Sequence, residues 1–570
     1  MHKSEDYSHI SGDCVNRPAI EARFGAPASY DALYENFRID LPERYNMAAD
    51  TVLRHAGGPK GQATALICEA ADGTISRFSY DQLAEASAKV ASQLKAQGIG
   101  KGDVIACYLG QGVEAALTYL AGFRLGAIIA PLSQLYGPET VLHALRDSKA
   151  RLIVTDTSLW PRIAERRGEL PDLQKVLISG DAPDGTQPFD SWQDADPWLP
   201  CADTHAEDPA LLLYTSGSTG MPKGILHAHR ILRGYLASVS LFYEMQMDDP
   251  DQVLWTASDW SWVAGIFNVM MTGWYFGQTI VASNARFDET GAFALMERFK
   301  VTHCFLTPTA LKRMAAIKAP RKSWPKLVLR AIGTGGEPLP GAVLEWADRT
   351  LDVPINEFYG LTEVNHLIGN CRSLYPIKPG SMGRAYPGHI IEVIDEEGNP
   401  VPDGEDGEIA ARDNDPTLFL GYWNQPDRTA AIKVGHWVRS GDFGYRDEDG
   451  YFWYRGRNDD LIKSAGYRIG PAEIEDALVR HDAVAEAAVI GSPDPDRGQI
   501  VKAFVRLSGD HVGDEKMIAA LQTHVKQVLA FYKYPREIEF VEEFKQTSTG
   551  KIDRKHLREE ERKRKPAVGS

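Results

Sequence analysis

One loop constrains this chain more than any other stretch of its sequence. Residues 210–214 form an apolar run, Ala-Leu-Leu-Leu-Tyr, which predicts a short buried strand, and this run ends in a Ser/Thr/Gly-rich loop that reaches Gly224. Glycines let backbone amides approach a ligand closely, and oriented amides beside a cation form a site for anions. The loop positions that fit a polyanion are Thr215, Ser216, Gly217, Ser218, Thr219, Gly220 and Lys223.

Two well-known nucleotide motifs are excluded. The P-loop pattern Gly-x-x-x-x-Gly-Lys-[Ser/Thr] fails because Pro222 precedes Lys223 and Gly224 follows it. The glycines at 333–336 miss the dinucleotide fingerprint because Pro338 takes the place of its last glycine. Taken alone, the 215–224 loop is either a phosphate binder of another kind or a surface turn.

The loop does not stand alone. Its sequence, Tyr-Thr-Ser-Gly-Ser-Thr-Gly-x-Pro-Lys-Gly at 214–224, resembles the signature of the superfamily of AMP-forming acyl-CoA synthetases, adenylation domains and luciferases. Further motifs of that superfamily follow in the expected order at 333–339, 357–363, 440–442, 456–471 and 547–551, so that the resemblance covers roughly residues 40–555. The stretches 34–38 and 41–46 are most similar to short- and medium-chain acyl-CoA synthetases.

The resemblance implies a role for each motif. Glu363 would hold Mg²⁺, and Lys551 would neutralise the charge that develops as pyrophosphate leaves; with Thr215 they form the implied catalytic set. Asp459 would be the hinge of a small mobile domain, and Gly466 would lie where the pantetheine thiol arrives. The other implied nucleotide contacts are Gly336, Glu337, Pro338, Glu357, Tyr359, Thr362, Asp442, Arg457 and Arg468, beside the loop residues already named. Each of these motifs read by itself is also compatible with an ordinary turn.

The implied enzyme is an AMP-forming carboxylic acid–CoA ligase that uses ATP, Mg²⁺ and coenzyme A. A carboxylate would attack the ATP α-phosphate to give an acyl-adenylate, the small domain would rotate, and a thiol would take the acyl group. An acyl-adenylating enzyme that serves a carrier-protein phosphopantetheine is the alternative; no carrier-like Gly-x-Asp-Ser-Leu segment follows Lys551, which favours CoA. A non-catalytic nucleotide sensor would show degenerate motifs, and here they are intact.

Five residues bear on which acid is used. Acetyl-CoA synthetases narrow the acyl pocket with a Trp, a Val and a Thr, and at the matching positions this chain has Gly360, Gly335 and Ala264, with Trp262 and Val263 beside Ala264. These departures predict an enlarged pocket and an acid larger than propionate, of medium-chain, branched or aryl type.

Strands alternate with helical stretches up to about residue 380, which predicts an α/β fold with mostly parallel, helix-covered sheets. A β-rich part is expected at about 380–457 and a small α+β domain at 461–570. The full division is an irregular arm at 1–45, a large domain at 46–457, a hinge at 458–460 and the small domain. His227 and His229 are expected at the start of a helix.

Net charge and cysteine spacing indicate which binding partners and which cellular compartment to expect. The net charge of −16 argues against a nucleic-acid or anionic-membrane surface, and six widely spaced cysteines fit a reducing cytoplasm. No signal peptide is visible, and the uncharged stretch 260–285 is expected to be a buried helix plus strand rather than a membrane span. Many relatives carry a Pro-Lys-Thr context before the lysine that is acetylated; here Lys545-Gln-Thr547 leaves recognition of Lys551 by an acetyltransferase open.

Overall fold

The computed structural model describes residues 29–70, 72–197, 200–215, 221–457, 460–464, 467–495, 497–509, 511–529, 531–545 and 552–565. The chain divides into two compact units, the first made of residues 1–391 and 411–438 and the second of residues 392–410 and 439–570. The second unit therefore takes in 392–410 and 439–457, two stretches that the sequence assigns to the large domain, and the expected hinge residue Asp459 lies outside the described residues.

The described strands of the first 390 residues alternate with helices, as the sequence predicts. They are β1 Thr64–Glu69, β2 Ile75–Ser79, β3 Val104–Tyr108, β4 Ile128–Pro131, β5 Leu152–Asp156, β6 Lys175–Ser179, β7 Gln187–Pro188, β8 Pro209–Thr215, β9 Lys223–Ala228, β10 Val253–Thr256, β11 Thr279–Ser283, β12 His303–Phe305, β13 Ala331–Gly335, β14 Ile355–Leu361, β15 Asn365–Gly369 and β16 Arg384–Ala385. The later strands are β17 Ile391–Ile394, β18 Gly407–Arg412, β19 Gly421–Tyr422, β20 Lys433–Val434, β21 Trp437–Arg446, β22 Phe452–Arg457, β23 Ile462–Ser464, β24 Tyr467–Ile469, β25 Val484–Asp494, β26 Gly498–Leu507 and β27 Glu537–Phe540.

The helices are mostly short and amphipathic or buried. They are α1 Tyr30–Asn36, α2 Val52–His55, α3 Tyr80–Ala96, α4 Val113–Leu125, α5 Pro138–Ser148, α6 Pro161–Ala164, α7 Ile231–Phe242, α8 Val263–Gly265, α9 Met271–Tyr275, α10 Glu289–Arg298, α11 Pro308–Met314, α12 Pro320–Ser323, α13 Gly341–Trp346, α14 Pro426–Ala431, α15 Pro471–Val479, α16 Glu515–Val528 and α17 Arg554–Arg564. Helix α3 begins with the capping box expected from its sequence, in which Ser79 and Gln82 satisfy each other's backbone amides.

Two large sheets organise the first unit. The nine-stranded sheet has the order β16-β15-β14-β13-β12-β10-β11-β1-β2, and the eight-stranded sheet has the order β19-β9-β8-β4-β3-β5-β6-β7. Strands β14 to β1 of the first sheet and β8 to β7 of the second are parallel, with antiparallel strands only towards the edges. Strands β3 and β4 are buried along their whole length, as parallel strands covered on both faces must be.

The second unit is smaller and mixed. Strands β17, β18 and β21 are neighbours and β22 pairs with β21, while β24-β23-β26-β25, with β27 on β26, form a separate sheet. Helices α15 and α16 pack against that second sheet through a core that contains Ile474, Leu478 and Leu521. The predicted α/β fold, with a β-rich part and a small C-terminal α+β module, is confirmed.

Three local predictions have definite outcomes. The stretch 260–285 forms helical turns followed by strand β11, as expected, and within the described residues no helix is both long and apolar enough to cross a bilayer. Two expectations are wrong. Residues Tyr30–Asn36, expected to be irregular, form a helix that Ser29 caps, and His227 lies in strand β9 because the pairing with β8 continues to Ala228.

Buried histidines give the fold an acid sensitivity. Burial lowers the pKa of His227 and His229 to about 4 and that of His303 to about 3. Near pH 6.5 and below, the histidines of the unfolded chain bind protons, whereas these buried histidines of the folded chain stay neutral. The free energy of unfolding therefore falls as the pH drops from about 6.5 towards 4. Each buried histidine is expected to cost about 2 kcal/mol between pH 7.5 and pH 5.

Urea unfolding at both pH values measures this loss. In His303→Asn the difference between the two pH values is expected to shrink by about 2 kcal/mol, whatever the variant's absolute stability. His436→Asn is the control, because the His436 side chain is 76% exposed. An unchanged difference in His303→Asn contradicts the prediction.

Candidate active site

The 215–224 loop joins two antiparallel strands. Strand β8 pairs with β9 so that Thr215 lies opposite Lys223 and Tyr214 opposite Gly224. Loop residues Ser216, Gly217, Ser218, Thr219 and Gly220 lie outside the described residues. A P-loop leads into a helix, whereas this loop leads into strand β9. The structure therefore excludes a P-loop, as the sequence does. Its two ends bring a hydroxyl and an ammonium group to one edge of the eight-stranded sheet.

Lys223 meets two other functional groups at the base of this loop. Its Nζ donates to Glu363 Oε1 at 2.8 Å and to the Tyr422 hydroxyl at 3.1 Å, and the Tyr422 hydroxyl donates to the same Glu363 oxygen at 2.8 Å. The Lys223 and Glu363 side chains are only 16% and 12% exposed, so solvent screens this ion pair weakly. We call these three residues the loop-base cluster.

The cluster keeps Glu363 ionised. Burial raises the pKa of this carboxyl group, but the charge of Lys223 and the hydrogen bonds from Lys223 and Tyr422 outweigh burial and leave the pKa below its ordinary value. Within the described residues, both side-chain hydrogen bonds that the Glu363 carboxylate accepts are on Oε1. Among the described side chains none donates to Oε2, so the site offers this second carboxylate oxygen beside the Lys223 cation.

His227 fixes the backbone that precedes Glu363. Its Nε2 lies 2.8 Å from the Thr362 carbonyl oxygen, so Nε2 carries the proton and donates it. Burial lowers the His227 pKa to about 4, which keeps the ring neutral near pH 7. Thr362, expected to contact phosphate, is thus held through its main chain. Sequence reasoning missed this function of His227, because no local pattern shows that strand β9 lies beside the Glu363 loop.

Strands β13 and β14 bring the expected adenine-side segments together. They pair in parallel with Gly335 opposite Phe358, so the turn after β13 and Tyr359 emerge at the same edge. Gly336 has φ +87°, a left-handed conformation that suits glycine, and Pro338 beside it is exposed. Two acidic residues hold the turn: Glu337 Oε2 accepts from Thr309 Oγ1 at 2.7 Å, and Glu357 Oε1 accepts from Leu339 N at 3.0 Å.

The expected acyl-pocket glycines do not leave open space. A side chain at Gly335 would start 2.7 Å from Phe358 Cζ, and one at Gly360 would meet the Asn365 carbonyl oxygen at the irregularity in the β14–β15 pairing. These glycines let the Phe358 ring and the β15 backbone approach closely, so the sequence argument that they enlarge a pocket is not met by the geometry. Trp262, Val263 and Ala264 are partly exposed at the start of α8.

The second unit carries its own pair of predicted residues. Strands β21 and β22 pair with Asp442 opposite Arg457, and Arg457 Nε lies 3.5 Å from Asp442 Oδ1. The Asp442 side chain is buried and that of Arg457 is exposed. Arg468 lies in strand β24, whereas Gly466 and Lys551 lie outside the described residues. Tyr422, which sequence reasoning did not select, is the main addition to the predicted set.

Comparison with known proteins places the chain. Residues 53–423 match the model of the AMP-binding enzyme family and residues 473–551 that of the AMP-binding enzyme C-terminal domain. The chain is 34% identical to the mitochondrial acyl-coenzyme A synthetase ACSM3 of Rattus norvegicus, over 96% of this chain and 95% of the relative. It is 33% identical to the uncharacterized acyl–CoA ligase YtcI of Bacillus subtilis, over 91% of this chain and 97% of the relative.

Solved structures agree with the family match. The anthranilate CoA ligase AuaEII in complex with anthranoyl-AMP superposes with a TM-score of 0.83 at 30% identity, covering 92% of this chain and 99% of that one. A benzoate CoA ligase from Burkholderia xenovorans superposes with a TM-score of 0.78 at 28% identity, covering 90% and 100%. The chain belongs to the AMP-binding enzyme family and is, within it, an AMP-forming acid–CoA ligase of the acyl-coenzyme A synthetase group.

Proposed function

We propose that this chain activates a carboxylic acid larger than propionate and transfers it to coenzyme A. A carboxylate oxygen attacks the α-phosphorus of ATP, and the bond from this phosphorus to the oxygen of the β-phosphate breaks. The products are an acyl-adenylate and pyrophosphate. The CoA thiolate then attacks the acyl carbon and AMP leaves. The observation that carries the proposal is the loop-base cluster, which puts the Lys223 ammonium and the Glu363 carboxylate at the foot of the Ser/Thr/Gly loop.

The cluster suits a nucleotide polyphosphate bound with a divalent cation. Mg²⁺ usually takes one or two protein carboxylates and completes its shell with substrate phosphates and water. Glu363 offers one such ligand through Oε2, to which no described side chain donates. When bound, Mg²⁺ would offset negative charge on the phosphates. Glu363 would orient it and Lys223 would bind a phosphate oxygen.

The remaining nucleotide contacts are proposed from their positions. Gly336, Glu337 and Pro338 border the edge where Tyr359 emerges, as a flat base would require. In the second unit, the buried Asp442 carboxylate would accept hydrogen bonds from ribose hydroxyls, with Arg457 beside it. The proposed roles of the loop residues 216–220, of Arg468 and Gly466, of the hinge Asp459 and of Lys551 stay predictions.

The size of the acid is proposed from Ala264 and from the relatives. Ala264 is small and partly exposed at the start of α8, at the position where acetyl-CoA synthetases carry a Thr, and this smaller side chain supports an acid larger than propionate. The anthranilate and benzoate ligases among the structural neighbours act on aryl acids, which supports an aryl or comparably large acid for this chain.

A pyrophosphate-release assay with ATP, Mg²⁺ and CoA tests the proposal across acetate, butyrate, isobutyrate, hexanoate, octanoate and benzoate. The kcat/KM for at least one of the larger acids is expected to exceed that for acetate by about tenfold or more, the discrimination that a few methylene groups provide. Equal values for acetate and hexanoate contradict the proposed size class. Pyrophosphate without thioester points to a carrier-protein acceptor instead of CoA.

A larger side chain in place of Ala264 is expected to reduce or abolish this preference. Ala264→Leu adds three heavy atoms at the proposed pocket, so kcat/KM for the preferred large acid is expected to fall about tenfold or more while that for acetate stays within about twofold. Ala294→Leu, an exposed alanine in helix α10, is the matched control. An equal loss for all acids means that residue 264 does not contact the acyl group.

Two peripheral proposals remain. A cytoplasmic location is supported by free cysteines at 68, 107, 201 and 304, although several relatives are named as mitochondrial. Acetylation of Lys551 by a protein acetyltransferase would remove its charge, and mass spectrometry after incubation with such an enzyme and acetyl-CoA tests whether the Lys545-Gln-Thr547 context is recognised.

A further inference from the structure

A short segment of the first unit connects the elements that carry Lys223 and Glu363, the two charged residues of the loop-base cluster. Residues 415–423, which we call the bridging strap, pair with strand β9 on one side: Gly421 and Tyr422 lie opposite Leu226 and Ile225. On the other side Phe419 N donates to the Glu363 carbonyl oxygen at 2.9 Å. The strap therefore bonds both to the strand that carries Lys223 and to the turn that carries Glu363.

The strap is fixed at its other end as well. Asp415 Oδ2 accepts from buried His389 Nδ1 at 2.7 Å, and Asp415 Oδ1 accepts from the Thr417 backbone at 2.8 Å. Thr417 Oγ1 in turn donates to the Val364 carbonyl oxygen at 2.8 Å. Arg230 donates to the carbonyl oxygen of Leu418 at 2.8 Å. These buried bonds leave the segment little freedom to move relative to the Glu363 turn.

Tyr422 is the strap residue whose side chain enters the cluster. Its hydroxyl has one proton, which it donates to Glu363 Oε1, and it accepts from Lys223 Nζ. The Lys223 ammonium also lies 4.3 Å from the centre of the Tyr422 ring. Tyr422 is buried, and its backbone N–H donates to Thr429 Oγ1 at 2.9 Å. The hydroxyl thus holds both charged groups at fixed positions.

We propose that the Tyr422 hydroxyl is a positioning group for nucleotide-bound Mg²⁺: by engaging Glu363 Oε1 it presents Oε2 to the cation. The inference rests on the proposed function, since it assumes that Glu363 meets Mg²⁺. Two side-chain hydrogen bonds hold Oε1, and removal of the one from Tyr422 leaves Lys223 as the one described side chain that holds the carboxylate. The Lys223 ammonium would at the same time bind the nucleotide phosphates. Without Tyr422 the carboxylate must be ordered at the moment of binding, which weakens binding.

Titration calorimetry with ATP, without acid or CoA, distinguishes a role in positioning Mg²⁺ from a contribution to ATP binding that does not depend on Mg²⁺. In Tyr422→Phe, ATP affinity in Mg²⁺ is expected to fall about tenfold, the loss of one hydrogen bond to a charged group, while ATP affinity in EDTA changes less than about twofold. Tyr80→Phe is the matched control, because it removes a hydroxyl that donates to the Gln278 carbonyl oxygen at 2.7 Å in the same unit. Thermal unfolding of both variants checks that they fold.

A second variant shows whether Tyr422 acts through Glu363. In a Glu363→Gln background, Tyr422→Phe is expected to cause no further loss of Mg²⁺-dependent affinity. An equal loss with and without Mg²⁺, no loss at all, or a full additional loss in the Glu363→Gln background each overturns the inference. If the unchanged protein binds no ATP in either buffer, the proposed function itself fails, and this result is distinct from the other three.

Discussion

Replacing Lys551 by alanine is expected to lower acyl-adenylate formation by about two to three orders of magnitude, the usual loss when one preorganised charge is removed from a transition state. Lys551 itself lies outside the described residues, but the structure describes both ends of its segment. Asp553 N donates to the Lys545 carbonyl oxygen at 2.8 Å, which joins the described residues on either side of Lys551. Helix α17, Arg554–Arg564, follows Asp553 directly.

Helix α17 is firmly attached to the small sheet of the second unit. Arg554 Nη2 lies 2.6 Å from Glu475 Oε2, and Lys502 Nζ donates at 2.6 Å to Glu561, whose side chain is 1% exposed. Removing the Lys551 side chain should therefore leave the fold intact. The loss is expected in the first half-reaction only, because no pyrophosphate leaves when the thiol attacks.

The two half-reactions are measured separately. Pyrophosphate release from ATP and acid reports the first, and thioester formation from synthetic acyl-adenylate and CoA reports the second, which is expected to stay within about threefold. Lys555→Ala is the control, since Lys555 is a half-exposed lysine in α17 that pairs with Glu559. Similar losses in both half-reactions would remove Lys551 from its assigned role.

Glu363→Gln is expected to lower kcat/KM for ATP in the first half-reaction by about two orders of magnitude. The change removes the anionic oxygen proposed for Mg²⁺ and leaves the largely buried Lys223 without its counter-charge, which is costly in a poorly solvated site. Much of the loss should appear as a higher Mg²⁺ concentration for half-maximal rate, because the altered group acts on the metal-bound nucleotide.

Glu69→Gln is the matched control for this variant. Glu69 pairs with Arg298, and its side chain is 14% exposed, close to the 12% of Glu363. It lies in strand β1, so loss of its charge tests what a buried ion pair contributes to the fold without touching the cluster. An unchanged Mg²⁺ dependence in Glu363→Gln, or the same change in Glu69→Gln, would contradict the role given to Glu363.

Local sequence signals predicted the hairpin loop, the parallel sheets and the small α+β module, because each depends on hydrophobic periodicity and turn chemistry. Tyr422 escaped prediction because its role depends on β19 pairing with β9, strands far apart in the chain. The wrong helix start at His227 has the same origin, since only pairing with β8 extends the strand that far. A small residue leaves open space only where no neighbouring side chain fills it. At Gly335 the Phe358 ring fills that space.

The central claim is that the chain couples ATP cleavage to thioester formation through an adenylate. Its most direct test is to quantify every product of one reaction with ATP, Mg²⁺, CoA and the best acid from the panel. Equal amounts of AMP, pyrophosphate and acyl-CoA, with no AMP when the acid is omitted, are the predicted result. Formation of ADP and phosphate, or of AMP without thioester at saturating CoA, would contradict the account.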